Sequence, residues 1–184
     1  MREQIRLSSG QMDLAERVGI LRHGENVKAG RYDRITGETS AAGSIGERVH
    51  ILGAQAEYAV SLFFGVGWSG MFFEDAEWRR RRREIVDVGP FEVRSTSSRT
   101  RGLTIYPKDN VRLPYVLVRT YDRPVYYIAG WAYGSCGIHR QFMRGGSSFV
   151  IPVERLEPTQ SLRRILAGAE PGGRDPKIQH GLYE

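Results

Sequence analysis

The sequence predicts an α+β chain: a helix followed by a mostly antiparallel mixed sheet, with an N-terminal helix ahead of it and a C-terminal helix and tail behind. Three observations predict this class. Val49, Leu52, Gly53, Ala56, Ala59, Val60, Phe63 and Phe64 recur at helical spacing. Strand-like runs then follow at Glu84 to Val88, Phe91 to Thr96, Gly102 to Tyr106, Tyr115 to Thr120 and Val125 to Trp131, separated by turn residues at 89–90, 107–114 and 122–124. The length of 184 residues and the 40% apolar content suit one core with extensions.

Taken in order, residues 1–46 form an N-terminal extension. Met12, Leu14, Ala15, Val18 and Leu21 mark a helix, and a polar Gly/Thr/Ser stretch from Gly30 to Ser44 reads as a long loop. Residues 47–166 form the core domain. Its first helix runs from about Gly46 to Phe64, with Gly65 and Gly67 placed to stop it. The small residues Gly53, Ala54, Ala56 and Ala59 let that helix lie close on a neighbouring surface, most simply a sheet. A short helix is expected after Pro158, carrying Leu162, Ile165 and Leu166. Residues 167–184, rich in Gly and Pro without periodicity, read as a flexible tail.

Composition narrows the function classes. The single cysteine, Cys136, excludes an intrachain disulfide, and the four histidines match no zinc spacing. No apolar leader opens the sequence and no stretch is long enough to span a membrane, so a cytoplasmic protein without a membrane partner is expected. Of the 27 basic residues all but Lys28, Lys108 and Lys177 are arginine, against 21 acidic ones. A guanidinium forks onto phosphate oxygens, so a net charge of +6 carried by arginine fits a phosphate-rich partner; a compositional bias toward arginine fits equally well.

The chemistry concentrates in Asp87-Val-Gly-Pro-Phe-Glu92-Val-Arg94. On a strand, Glu92, Arg94 and Thr96 share one face while Phe91, Val93 and Ser95 take the other. Gly89-Pro90 bends the chain and returns Asp87 beside Glu92, so two carboxylates and a guanidinium converge, an arrangement suited to a hard cation. Glu57 lies on the shoulder of the apolar face of the helix before it, where a carboxylate needs a partner.

The succession of a helix with Glu57, Asp87, a turn and Glu92-Val-Arg94 resembles the PD-(D/E)XK nuclease superfamily, with its restriction-endonuclease-like core. The runs GAQAEYAVSLF, DVGPFEVRST, LTIYPKD, PYVLV and YYIAGWAYG, and RVGILRHGENVKAG at residues 17–30, are similar to small phage-encoded members that carry Arg in place of the motif Lys. The resemblance covers roughly residues 12–160. It implies a metal-dependent nuclease acting on DNA in a host bacterial cytoplasm. Asp87 and Glu92 would bind Mg²⁺ (or Mn²⁺), Glu57 would complete the site, and Arg94 would take the place of the motif's basic residue. Arginine stays charged at any useful pH, so Arg94 is expected to orient or stabilise a phosphate oxygen rather than act as a base. The alternative is a catalytically degenerate member that binds nucleic acid or a protein partner without cleaving. A homodimer stays open.

Other signals stand beside these. Arg79, Arg80, Arg81, Arg82 and Arg83 form a run that reads either as a phosphate-contacting stripe or as a solvated segment paired with Glu74, Asp75 and Glu77. Gly65-Val-Gly-Trp-Ser-Gly70 matches a dinucleotide-binding pattern but follows a helix instead of a strand, which removes its mechanism. Tyr106, Tyr126, Tyr127, Trp131 and Tyr133 are read as strand aromatics of the core before base-stacking groups.

Overall fold

The computed structural model describes residues 3–30, 44–71, 86–145 and 148–167, and these fold as an α+β unit. The elements are β1 (Glu3–Arg6), α1 (Ser9–Lys28), α2 (Ser44–Phe64), β2 (Glu92–Thr96), β3 (Leu103–Ile105), β4 (Pro114–Asp122), β5 (Val125–Tyr133), the single turn α3 (Gly134–Gly137), β6 (Met143–Arg144), β7 (Ser148–Ile151) and α4 (Thr159–Leu166). The expected loop over 31–43, the arginine run and the tail from Gly168 lie outside the described residues.

Helix α1 begins at a capping box. Ser8 Oγ accepts from the Gln11 N–H, and Gln11 Oε1 accepts from the Ser8 N–H at 2.8 Å, satisfying two first-turn donors reciprocally. Ala15, Val18 and Gly19 form its buried stripe, laid on α2. At Gly19 the helices nearly touch: a Cβ there would stand 2.5 Å from Ile51 Cα. Helix α2 is therefore covered on two sides, by α1 and by the sheet, and buries Ala54, Gln55, Ala56, Glu57, Ala59, Val60 and Ser61. Its small residues permit that close double packing.

The main sheet has the order β1-β5-β4-β2. β1 and β4 flank β5 antiparallel, while β2 runs parallel to β4 in the register Glu92↔Tyr115, Val93↔Val116 and Arg94↔Leu117. Three strands, β3-β7-β6, make a second antiparallel sheet. β4 is buried on both faces. Val116 and Val118 meet Ala56, Val60, Val93, Tyr126 and Leu162 on the helical side. Tyr115 and Leu117 meet Leu103, Ile105, Phe149 and Ile151 of the small sheet on the other. Two apolar clusters of this kind, divided by one sheet, make three layers.

Several elements differ from the expectation. The run Glu84 to Val88 forms no strand over its described part: residues 84 and 85 lie outside, and Val88 pairs only through isolated bridges to Phe91 and Trp68. Short β1 and the β6–β7 pair were not anticipated. β1 holds one apolar residue, Ile5, in four, and its order comes from the open edge of β5. The segment 107–113 is turn structure, as expected, with Asp109 N–H donating to the Tyr106 carbonyl and Leu113 N–H to that of Asn110. No described helix is long and apolar enough to cross a membrane.

Candidate functional site

Asp87 and Glu92 flank a two-residue turn. Val88 N–H donates to the Phe91 carbonyl at 3.0 Å and Phe91 N–H to that of Val88 at 2.8 Å, with Gly89 at φ +51° in the first central position. A tight turn of this hand needs positive φ there, which glycine adopts without a Cβ penalty. The chain reversal lets Asp87 Oδ2 accept the Val93 N–H at 2.8 Å, on the edge of β2 turned away from β4. Asp87 is thereby fixed beside the strand that carries Glu92 and Arg94, as the sequence reading placed it.

The expected residues do converge, each within electrostatic reach of the next. Burial raises the Asp87 carboxyl to about 6, and Glu92 pushes it the same way, against the Val93 N–H, Arg94 and Arg22. Burial also raises Glu92, opposed by Arg94 and by a hydrogen bond with Asp87, while Asp109 and Glu57 repel. Glu57 is raised by burial and then by Asp87, with Arg22 and Trp68 opposing the shift. Three carboxyls that each oppose the ionisation of another occupy one region.

Three further residues complete the cluster, and sequence reading had given them no role. Arg22 grips Glu57 with both nitrogens, Nη1 to Oε1 at 2.5 Å and Nη2 to Oε2 at 2.8 Å. Trp68 Nε1 donates to Oε2 at 3.0 Å, its ring stacked on Tyr58. Asp109 Oδ2 takes Arg94 Nη2 at 2.9 Å and the Tyr106 N–H at 2.9 Å. Burial works against both arginine charges, but Glu57 and Asp87 more than offset it at Arg22, and Asp109, Glu92 and Asp87 at Arg94. One signal for Arg22 was present: it continues the stripe Ala15, Val18, Gly19 by helical spacing, and a guanidinium on a buried stripe requires a counter-charge. Trp68 and Asp109 sit in irregular chain, where periodicity says nothing.

Arg22–Glu57 and Arg94–Asp109 are closed ion pairs. Between them Asp87 has no ion pair among the described residues, and Glu92 has only that with Arg94 Nη1 at 3.4 Å, a long contact; the two carboxyls share a hydrogen bond with each other. Two carboxylates are thus left undercompensated, bracketed by two satisfied pairs. Among the described residues no three His, Cys, Asp or Glu side chains are grouped so as to hold an ion by themselves. Any hard cation here would rest on Asp87 and Glu92 and draw the remaining ligands from water or substrate. Compared with known proteins, the chain matches no protein-family model, no curated protein and no solved structure.

Proposed function

We propose that the chain is a metal-dependent nuclease of the PD-(D/E)XK type, with a restriction-endonuclease-like core, that hydrolyses DNA phosphodiester bonds at Asp87 and Glu92. The observation that carries this reading is the pair of undercompensated, proton-seeking carboxyls fixed on either side of one turn, with Arg94 two residues along the same strand face. Both are hard oxygen donors, and Mg²⁺ commonly takes one or two protein carboxylates, so the donor set fits that ion or Mn²⁺. When bound, such an ion supplies charge stabilisation and an activated water.

The chain's own residues would act as follows. Asp87 is oriented by the Val93 N–H and shares a hydrogen bond with Glu92, a contact that a cation seated on both carboxylates would replace. Arg94 is positioned through Nη2 by Asp109, while Nη1 makes only 3.4 Å contacts to Glu92 and the Val93 carbonyl and retains the capacity to meet a phosphate oxygen. Glu57 has both oxygens engaged and would join an ion only on releasing Arg22, so its first role is to hold Arg22 toward Asp87.

A second reading, a degenerate member that binds nucleic acid or protein without cleavage, is favoured by those same two closed ion pairs, which give the arginines a structural use. One assay separates them. Linear, circular, single-stranded and branched DNA are incubated with the protein and Mg²⁺, Mn²⁺ or EDTA. Metal-dependent cleavage is expected, abolished in Glu92→Gln and Arg94→Ala and partly kept in Arg94→Lys; loss of one preorganised electrostatic group commonly costs about 10²- to 10³-fold in rate. Binding without cleavage of any form would leave the degenerate reading standing.

A further inference from the structure

At the far end of β4 from Tyr115, the partner of Glu92, lies a cavity of about 370 Å³ that the proposed chemistry does not use. Arg119 lines it. This residue pairs in register with Thr96 of β2 and Tyr127 of β5, is only 6% exposed, and has no carboxylate partner among the described residues; its Nε lacks any hydrogen-bond acceptor. A buried guanidinium without a counter-charge is costly, and an anion entering the cavity would offset that cost.

A second group of donors faces the same cavity. Pro158, Thr159 and Gln160 line it, and they are the first residues of α4, an eight-residue helix whose N-cap is Pro158. Proline offers no side-chain acceptor, and no N-cap side chain bonds into this helix, so the Thr159 and Gln160 N–H groups have no acceptor among the described residues. An uncapped N-terminus carries a partial positive charge and aligned N–H donors. The β-bulge opposite Leu117 and Val118 leaves Ala129 unpaired on β5 and bends that strand at the cavity wall.

We propose that this cavity binds the phosphate group of a small phosphate monoester, gripped between Arg119 and the N-terminus of α4. Arg99 and Thr100 stand at the same cavity and add donors, with Arg99 held over the Tyr121 ring at 4.5 Å. Glu3 and Glu154 also line it, Glu3 tied to Gln160 Nε2 at 3.0 Å. Two glutamates beside two arginines repel a polyphosphate and offer acceptors for the hydroxyls of a monoester's organic part. The volume exceeds that of phosphate alone and falls at the lower end of ligand sites, about 300 to 1,000 Å³. A phosphorylated sugar and the 5′-phosphate end of a nucleic-acid strand present the same group.

Calorimetric titration of the full chain tests this with inorganic phosphate, ribose 5-phosphate, ribose, and a short oligonucleotide with and without a 5′-phosphate. Phosphate and ribose 5-phosphate are expected to bind one per chain, and ribose not at all. Arg119→Gln should weaken ribose 5-phosphate at least about tenfold, the loss of one charge-assisted contact. Because Arg119 is buried, a second variant guards against misfolding: Pro158→Asp places a capping carboxylate on the vacant N–H groups, so it should preserve or raise the melting temperature while abolishing binding. Asp87→Asn should leave the titration unchanged, which keeps this outcome separate from that of the nuclease assay. Tighter binding of the 5′-phosphorylated oligonucleotide than of the same strand without that phosphate, by a margin that Pro158→Asp removes, identifies a strand end as the source, and equal binding of the two strands a free metabolite. Absence of phosphate binding, or binding undiminished in Pro158→Asp, overturns the proposal.

Discussion

At the scale of single residues, the site is governed by how few counter-charges reach its carboxyls. Asp87 is raised to about 6 by burial and by Glu92, so the folded state holds its proton more tightly than the unfolded chain does. A raised carboxyl contributes stability that is complete below the unfolded value near 4 and is lost as pH rises through about 6. The wild-type denaturation midpoint should therefore fall between pH 4 and 7, and Asp87→Asn, which keeps an acceptor for the Val93 N–H, should flatten that fall. Added Mn²⁺ should restore the wild-type midpoint at pH 7 and leave that of Asp87→Asn unmoved; equal midpoints with and without metal in both proteins would remove the metal claim.

Arg22 offers a sharper case. Glu57 is 7% exposed at its side chain and is gripped by both Arg22 nitrogens. Arg22→Met leaves a buried carboxylate without its cation, a change that typically costs about 3 to 5 kcal/mol, whereas Arg22→Met with Glu57→Met removes both charges and should recover most of that loss. Urea denaturation of the two singles and the double makes the cycle. An additive double variant would show that the pair contributes nothing beyond its separate parts.

At the scale of elements, the two long helices owe their spacing to one position. Gly19 lets α1 sit with Ile51 Cα where a side chain would otherwise begin, and the contact is backbone, which has little room to yield. Gly19→Ala should therefore destabilise despite alanine's better helix propensity, by roughly 1 to 3 kcal/mol for an overpacked contact, while Gly24→Ala, which meets nothing within 4 Å, should be neutral or stabilising. Thermal melts of the two side by side distinguish packing from propensity. Because Arg22 lies one turn beyond Gly19, spreading the helices should also loosen its grip on Glu57.

At the scale of the whole molecule, charge and layering act together. The chain carries +6 overall, yet the described cluster around Asp87 holds four carboxyls and two arginines, so a polyanion approaching this site would have to be drawn in by positive charge elsewhere. Arg79 to Arg83, just ahead of Asp87 in sequence, are the residues proposed for that task. Replacing three of them by glutamine should weaken DNA binding similarly for every sequence and flatten its salt dependence by about one unit per lost phosphate contact. Fluorescence anisotropy across a salt series reads the slope, and an unchanged slope assigns the run to a solvated role.

The sequence by itself determined those features that repeat along the chain: α2 from its helical spacing, β4 and β5 from unbroken apolar runs, and α4 after Pro158. It also determined the local pairing of Asp87 with Glu92, because a Gly-Pro turn and strand alternation act over a few residues. Only the tertiary structure decided that β2 runs parallel to β4, since no short-range signal specifies which strands become neighbours across intervening chain. It likewise decided that a second sheet covers the other face of β4, and that β1 is ordered by the edge it completes. Asp109 reaches Arg94 across 15 residues and Arg22 reaches Glu57 across 35. Compensation of buried charge is settled by proximity in space, and a linear sequence records the charges without their distances.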